Sequence, residues 1–176
     1  HDALPIYNPW PQSIASMSNS WLIDLKDPLH GLPLDRVIQL PPVPNEQTPE
    51  IYAQAHVGLF PNRCEAGTNL VMSEFMACGR PVIASFAHGH ADVLPAEALL
   101  LRKGTLDPAG WFNAEVSDMV AHLEWAYNHR AELASIGLAC RKSIERFTWR
   151  DCALKICEQA FPAEDLASQS PARVSE

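Results

Sequence analysis

Short apolar runs of strand length alternate with stretches whose apolar residues recur at helical spacing. Residues 3–7 form the first apolar run, closed by the loop sequence Asn8-Pro9-Trp10-Pro11. Residues 12–33 are weakly patterned, with a helix expected somewhere in 13–25. Residues 36–40 predict a strand that Pro41-Pro42 stops. Thr48-Pro49-Glu50 predicts a helix start, with Thr48 as cap, Pro49 in first position, and Ile51, Tyr52 and Ala55 following. Residues 56–60 predict a strand ended by Pro61-Asn62-Arg63. Thr68 or Asn69 then opens a helix running to Cys78, and Gly79 falls where a left-handed C-terminal cap belongs. Residues 81–85 and 98–102 read as further strands. Three helices close the chain. The first carries the stripe Val116, Met119, Val120, Leu123 and Tyr127, and the second Leu133, Ile136, Cys140, Ile144 and Phe147. The third is capped by Thr148 with Asp151 as box partner and carries Trp149, Ala153, Ile156 and Ala160.

Short apolar strands separated by helices predict a parallel sheet covered on both faces, a doubly wound Rossmann-like α/β domain. In such sheets ligands bind beyond the carboxyl ends of the strands, which directs attention to the loops after Phe60 and Ser85. The expected domain covers residues 1–161. The polar, small-residue stretch 162–176 is expected to be disordered. The opening at His1-Asp2-Ala3 reads as a strand already under way, so the domain is expected to be incomplete at its N-terminus.

Composition narrows the partners. A length of 176 residues with 47% apolar content suits one folded domain. The net charge of −8 disfavours nucleic acid and anionic membranes, which call for a basic surface. No apolar run is long enough to span a membrane, and no basic-then-apolar leader opens the chain. The five cysteines are odd in number and lack paired spacing, so they are expected as reduced, partly buried thiols without zinc, in a cytoplasmic setting.

The segment after residues 56–60 carries the chemistry. A strand, a loop containing Gly67 and a helix start outline an anion site, because first-turn N–H groups lack partners inside the helix and the helix dipole favours negative charge. Gly67 lets a ligand approach the backbone, and Thr68 and Asn69 add side-chain donors. Glu74 stands roughly 7 to 8 Å along the helix axis, within reach of a ribose whose diphosphate occupies the helix tip. Glu65, in the loop, could bind sugar hydroxyls or face positive charge developing at an anomeric carbon. Equally, both glutamates could be solvated and the glycine a plain turn.

The string from Glu65 through Glu74 to Phe75-Met76-Ala77-Cys78-Gly79-Arg80-Pro81-Val82-Ile83-Ala84-Ser85 resembles the signature of family 4 retaining glycosyltransferases. The lead-in Ile51-Tyr52-Ala53-Gln54-Ala55-His56-Val57-Gly58-Leu59-Phe60-Pro61 is similar to that family's as well. The resemblance implies the C-terminal, donor-binding half of a GT-B fold with a helical C-terminal segment. It implies transfer of a sugar from a nucleoside diphosphate sugar to an acceptor hydroxyl with retention, without metal or cofactor. By it, Glu65 matches the catalytic glutamate facing the donor sugar and Glu74 the ribose anchor. Gly67, Thr68, Asn69 and Leu70 offer N–H groups to the diphosphate. The loop between the glutamates is one residue longer than the family's. No Arg- and Lys-bearing loop precedes Ala3, and the acceptor-binding N-terminal half is missing, so this piece is expected to bind donor weakly and to be inactive alone. The acceptor could be a glycan, lipid, protein or small molecule, and the protein could be peripheral to the inner face of a membrane.

Two alternatives stay open, a non-catalytic nucleotide-sugar-binding module and a nucleotide-sugar epimerase. Arg63 could help a diphosphate or pair with an acid. His88-Gly89-His90-Ala91-Asp92 has the look of a metal motif, but a metal needs three or four converging ligands. A polar loop at the cleft rim with His90 touching substrate, or a surface loop, fits better. Trp111, Trp125 and Trp149 are expected in helical, packed surroundings, Trp10 beside the cleft, and His122 and His129 in solvent.

Overall fold

The computed structural model describes residues 4–7, 37–40 and 43–161. The helix expected in 13–25, Trp10 and the tail from 162 lie outside these residues. Strands β1 (Leu4–Tyr7) and β2 (Val37–Leu40) pair in parallel, Leu4 opposite Val37 and Tyr7 opposite Leu40. A 3-10 turn at Asn45–Gln47 leads into α1 (Thr48–Gln54). Then come β3 (Gly58–Phe60), α2 (Leu70–Ala77), β4 (Val82–Ser85), a 3-10 turn at His88–His90 and β5 (Leu99–Leu101). A hairpin of β6 (Gly104–Leu106) and β7 (Phe112–Ala114) comes next, then α3 (Val116–Asn128), α4 (Leu133–Glu145) and α5 (Trp149–Ala160).

Strands β3, β4 and β5 form a parallel sheet in that order. All four residues of the central strand β4 are buried, as its continuous apolar run predicts. The pleat sends Val82 and Ala84 to one face, into a core with Met72, Phe75 and Met76 of α2 and Cys140 of α4. Ile83 and Ser85 point to the other face, where α3 lies against β4 and β5. Helices therefore cover both faces, in agreement with the α/β expectation. Met72 and Met76 are wholly buried, each contributing about 1.5–3 kcal/mol.

Two turns fix how the helices meet the sheet. Gly79 takes φ +71° and ends α2, its N–H donating to Met76 O while that of Arg80 donates to Phe75 O. Helix α4 rests on that turn: a Cβ on Gly137 would lie 2.1 Å from Gly79 O. Next to this contact the Cys140 thiol is fully buried, and burial pushes its pKa up to about 11. At the end of β5, the buried Asp118 accepts hydrogen bonds from the N–H groups of Arg102 and Lys103, both 3.2 Å.

Several sequence expectations need correction. Thr48 is buried inside the first turn of α1 and its hydroxyl makes no cap; the 3-10 turn before it supplies the helix start. Strand β3 begins at Gly58, not at residue 56. Helix α3 turns Ala126 and Asp118 inward while Val116, Val120 and Tyr127 are exposed, because the Asp118 staple sets its rotation. His122 is half-buried with its Nδ1 3.7 Å from Asp118, and His129 stacks on Trp125 with centroids 4.4 Å apart, so neither is simply solvated. Phe147 is exposed, and so is every residue of α5, with Trp149 at 91%. Trp111 belongs to the hairpin, not to helical surroundings. Among the cysteines, Cys64, Cys152 and Cys157 are exposed; all five are free thiols.

Candidate functional site

Because β3 and β4 run in parallel, the loops leaving Phe60 and Ser85 emerge at the same edge of the sheet. The first loop, residues 61–69, contains Glu65 and ends on the tip of α2. The second, residues 86–90, packs directly against it. Gly89 N–H donates to Glu65 O at 3.2 Å, and a Cβ on Gly89 would fall 1.5 Å from Gly67 O. Only glycine lets the two backbones approach this closely.

Asn69 caps α2, its Oδ1 accepting from Met72 N–H at 3.0 Å. Its backbone stands at φ +49°, a left-handed conformation that asparagine tolerates better than most residues. Among the described residues the N–H groups of Thr68, Asn69, Leu70 and Val71 donate to no protein acceptor. Gly67, Thr68 and Leu70 are exposed, so these donors face solvent at the positive end of the helix. The Asn69 amide is less free than its sequence position implies, since Nδ2 already faces His90 Nε2 at 3.2 Å.

His90 is 1% exposed, which corrects the surface-loop alternative. Its Nδ1 donates to Ser85 O at 3.2 Å, tying the turn to the end of β4. Burial holds its pKa below the ordinary value, against the opposing pull of the Ser85 carbonyl and of Glu65. Glu65 lies with Oε2 4.0 Å from His90 Nε2 and accepts from Asn62 Nδ2 at 3.3 Å. Asn62, which the sequence places only in the segment that ends the strand, thus helps aim a carboxylate.

Glu74 is exposed one turn into α2 and accepts from the buried Tyr52 hydroxyl at 3.2 Å. Tyr52 in turn packs edge-on against Phe75 at 5.3 Å. Sequence pattern places Tyr52 on an apolar helix face, and nothing in it signals the hydroxyl's partner 22 residues away. Arg63 takes the acid-pairing option: its guanidinium binds Asp107 at 2.7 Å and lies 5.2 Å over the Trp111 ring. The β6–β7 hairpin is joined to this loop by Phe112 N–H donating to Arg63 O at 2.8 Å. Glu65, Gly67, Thr68, Asn69, Leu70 and His90 are thereby brought together around the tip of α2. Glu74 stands one turn away, and Arg63 at the outer side is held by the hairpin. A shallow depression beside α4, lined by Glu97, Leu138, Arg141 and Glu145, lies elsewhere. Its Arg141 already pairs with Glu145.

The sequence pattern of the family described as Glycosyl transferases group 1 matches residues 17–121, more than half of the chain. This chain belongs to that family. The glycosyltransferase chain is 30% identical over 118 residues to sulfoquinovosyl transferase SQD2 of Arabidopsis thaliana, covering 67% of this chain and 22% of that protein. Its fold is similar to that of sucrose-phosphate synthase from Thermosynechococcus elongatus, with a TM-score of 0.71 at 23% identity. That similarity covers 96% of this chain and 39% of the synthase. The α/β domain is therefore of the GT-B glycosyltransferase type, and the chain spans well under half the length of either relative. None of the described helices is long and apolar enough to cross a membrane.

Proposed function

We propose that this glycosyltransferase chain carries the donor site of a retaining enzyme that moves a sugar from a nucleoside diphosphate sugar to an acceptor hydroxyl. The observation that supports the reading most is the tip of α2: the consecutive N–H groups of residues 67–71 are without protein acceptors among the described residues, at the positive end of a helix, with a carboxylate on either side. The diphosphate takes the N–H groups of Gly67, Thr68, Asn69 and Leu70. Glu74, steadied by the Tyr52 hydroxyl, accepts from the ribose. Glu65, aimed by Asn62, faces the donor sugar.

The chemistry rests on these placements. As the bond from the anomeric carbon to the diphosphate oxygen breaks, negative charge grows on the phosphate at the helix tip, where fixed donors stabilise it. Positive charge grows at the anomeric carbon, and the Glu65 carboxylate stabilises it. The acceptor hydroxyl attacks from the face the diphosphate leaves, which preserves configuration, and its proton passes to the departing phosphate oxygen beside it. Neither metal nor cofactor is assigned a role, and the setting is cytoplasmic. The acceptor half lies outside this domain, so residues 1–161 alone bind donor without efficient turnover.

A second reading, a binding module without turnover, draws on the state of the cations at this edge. Arg63 is paired with Asp107, Lys103 lies 3.6 Å from Asp118, and Arg102 is stacked 3.9 Å over Phe86. Calorimetry against UDP, GDP and their sugar conjugates tests both readings, together with a transfer assay on the protein with its acceptor half. The donor reading expects one nucleotide to bind and Glu74→Ala to weaken it roughly tenfold or more, since a hydrogen bond to a charged group contributes about 1.5–3 kcal/mol. Absence of binding at millimolar nucleotide would remove the donor assignment. Binding without transfer would favour the module.

A further inference from the structure

The hydrogen bonds around His90 form a chain whose direction is set at both ends. At one end stands the Met72 N–H, which can only donate; at the other the Ser85 carbonyl, which can only accept. Met72 N–H donates to Asn69 Oδ1, which turns Asn69 Nδ2–H toward His90. His90 Nε2 must then be the bare, accepting nitrogen, and the ring proton must lie on Nδ1, donating to Ser85 O. Reversing any member of the chain sets two donors or two acceptors against each other at about 3 Å.

We propose that His90 is a positioning residue of the donor site: its neutral ring, protonated on Nδ1, holds the Asn69 amide in the orientation that caps α2 and so sets the backbone donors of residues 67–70. The proposal rests on the donor reading above for its functional consequence and on geometry for the rest. The imidazole is the one connection among these contacts that runs from the end of β4 through a side chain to the tip of α2. Asn69 needs that support, because its left-handed backbone is a conformation that side chains resist. Among the described residues, the titratable groups whose charge acts on the ring are Glu65 and His88. Glu65 Oε2 is 4.0 Å from Nε2, and His88, at φ +51°, is in the same turn. A second proton, on Nε2, would repel the Asn69 amide and turn the ring toward Glu65. The carboxylate assigned to the sugar would then be diverted, and the helix cap released. Acid is thus expected to act on donor binding through His90.

The test uses the full chain with 15N-labelled histidine. At neutral pH the spectrum of His90 is expected to show a protonated Nδ1 and a bare Nε2, the tautomer that free imidazole side chains disfavour. The opposite tautomer, or a charged ring at pH 7, overturns the proposal. His90→Leu keeps bulk without an acceptor, and it is expected to speed hydrogen exchange at the Met72 amide and to weaken UDP or GDP binding roughly five- to tenfold. His90→Gln, which can still accept from Asn69, is expected to recover most of that loss. Thermal melts establish that both variants are folded; if His90→Leu is not, the tautomer and the His90→Gln variant decide. Unchanged Met72 exchange and unchanged affinity in a folded His90→Leu overturn the positioning role. If the parent chain binds neither nucleotide, the donor reading falls, while the tautomer and Met72 exchange still decide whether His90 positions Asn69.

Discussion

Asp118 shows how one polar side chain can decide the placement of a helix. Its carboxylate is buried, yet it satisfies two backbone N–H groups at the end of β5 and faces both Lys103 Nζ and His122. Burial pushes its pKa up, but the Lys103 N–H, His122, the Lys103 ammonium and the Arg102 N–H together outweigh that, and the pKa lies below its usual 3.8. A depressed carboxylate stabilises the fold fully above about pH 4, and this contribution is lost as pH falls through the folded value. Asp118→Ala is expected to cost about 1–3 kcal/mol by stranding two donors, read as a drop in the denaturant midpoint at pH 7. Asp118→Asn keeps an acceptor but not the charge, so the gap between its stability and the parent's should narrow below about pH 4. A gap constant down to about pH 2.5 would show that the charge has no part. The same residue explains why the helical stripe in residues 116–127 misleads. Periodicity assigns apolar residues to the inner face, and here hydrogen bonds from β5 bring Asp118 and His122 inward instead.

At the level of elements, the parts legible in the sequence are those with a local physical signature. The run 82–85 reads as a buried parallel strand because all its residues are apolar or small, and Gly79 reads as a cap because only a left-handed turn ends α2 there. The tip of α2 was legible for the same reason, Asn69 being a strong capping residue after a glycine loop. The β6–β7 hairpin was not legible, since its strands have three residues each and Gly104, Thr105 and Leu106 show no alternation of burial. The one local hint is the turn sequence Asp107-Pro108-Ala109-Gly110, with Gly110 at φ +82° and Asp107 Oδ1 accepting from Ala109 and Trp111 N–H. The links from Tyr52 to Glu74 and from Ser85 to His90 to Asn69 join separate elements, and no local pattern encodes them. Element packing also separates two glycines that look alike in sequence. Gly79→Ala meets no atom within 4 Å and is expected to cost about 1–2 kcal/mol for its left-handed backbone. Gly137→Ala gains helix propensity, about 1 kcal/mol, but drives a methyl into the carbonyl of Gly79. Its expected result is a net loss and a shift of α4 away from the end of α2, seen in chemical denaturation and in the amide shifts of residues 79–81. A more stable Gly137→Ala would show that the contact yields easily.

Across the whole molecule, chemistry and stability meet in α2. Its tip is the candidate donor site, and its inner side supplies Met72, Phe75 and Met76 to the core that also encloses Cys140. That shared core turns Cys140 into a chemical stopwatch. A thiol buried this deeply, with its pKa raised to about 11, stays protonated and sealed at neutral pH, whereas Cys64, Cys152 and Cys157 are open to an alkylating reagent. Three cysteines are expected to react at once, with Cys78 slower, and Cys140 only when the core opens. Mass spectrometry of the Cys140 peptide over time then measures how often that happens. A nucleotide held at the tip of α2 must be released before the core opens, so it should retard the stopwatch by mass action, about tenfold at ten times its dissociation constant. An unlabelled ligand would in this way report its own binding through the alkylation of a residue it never touches.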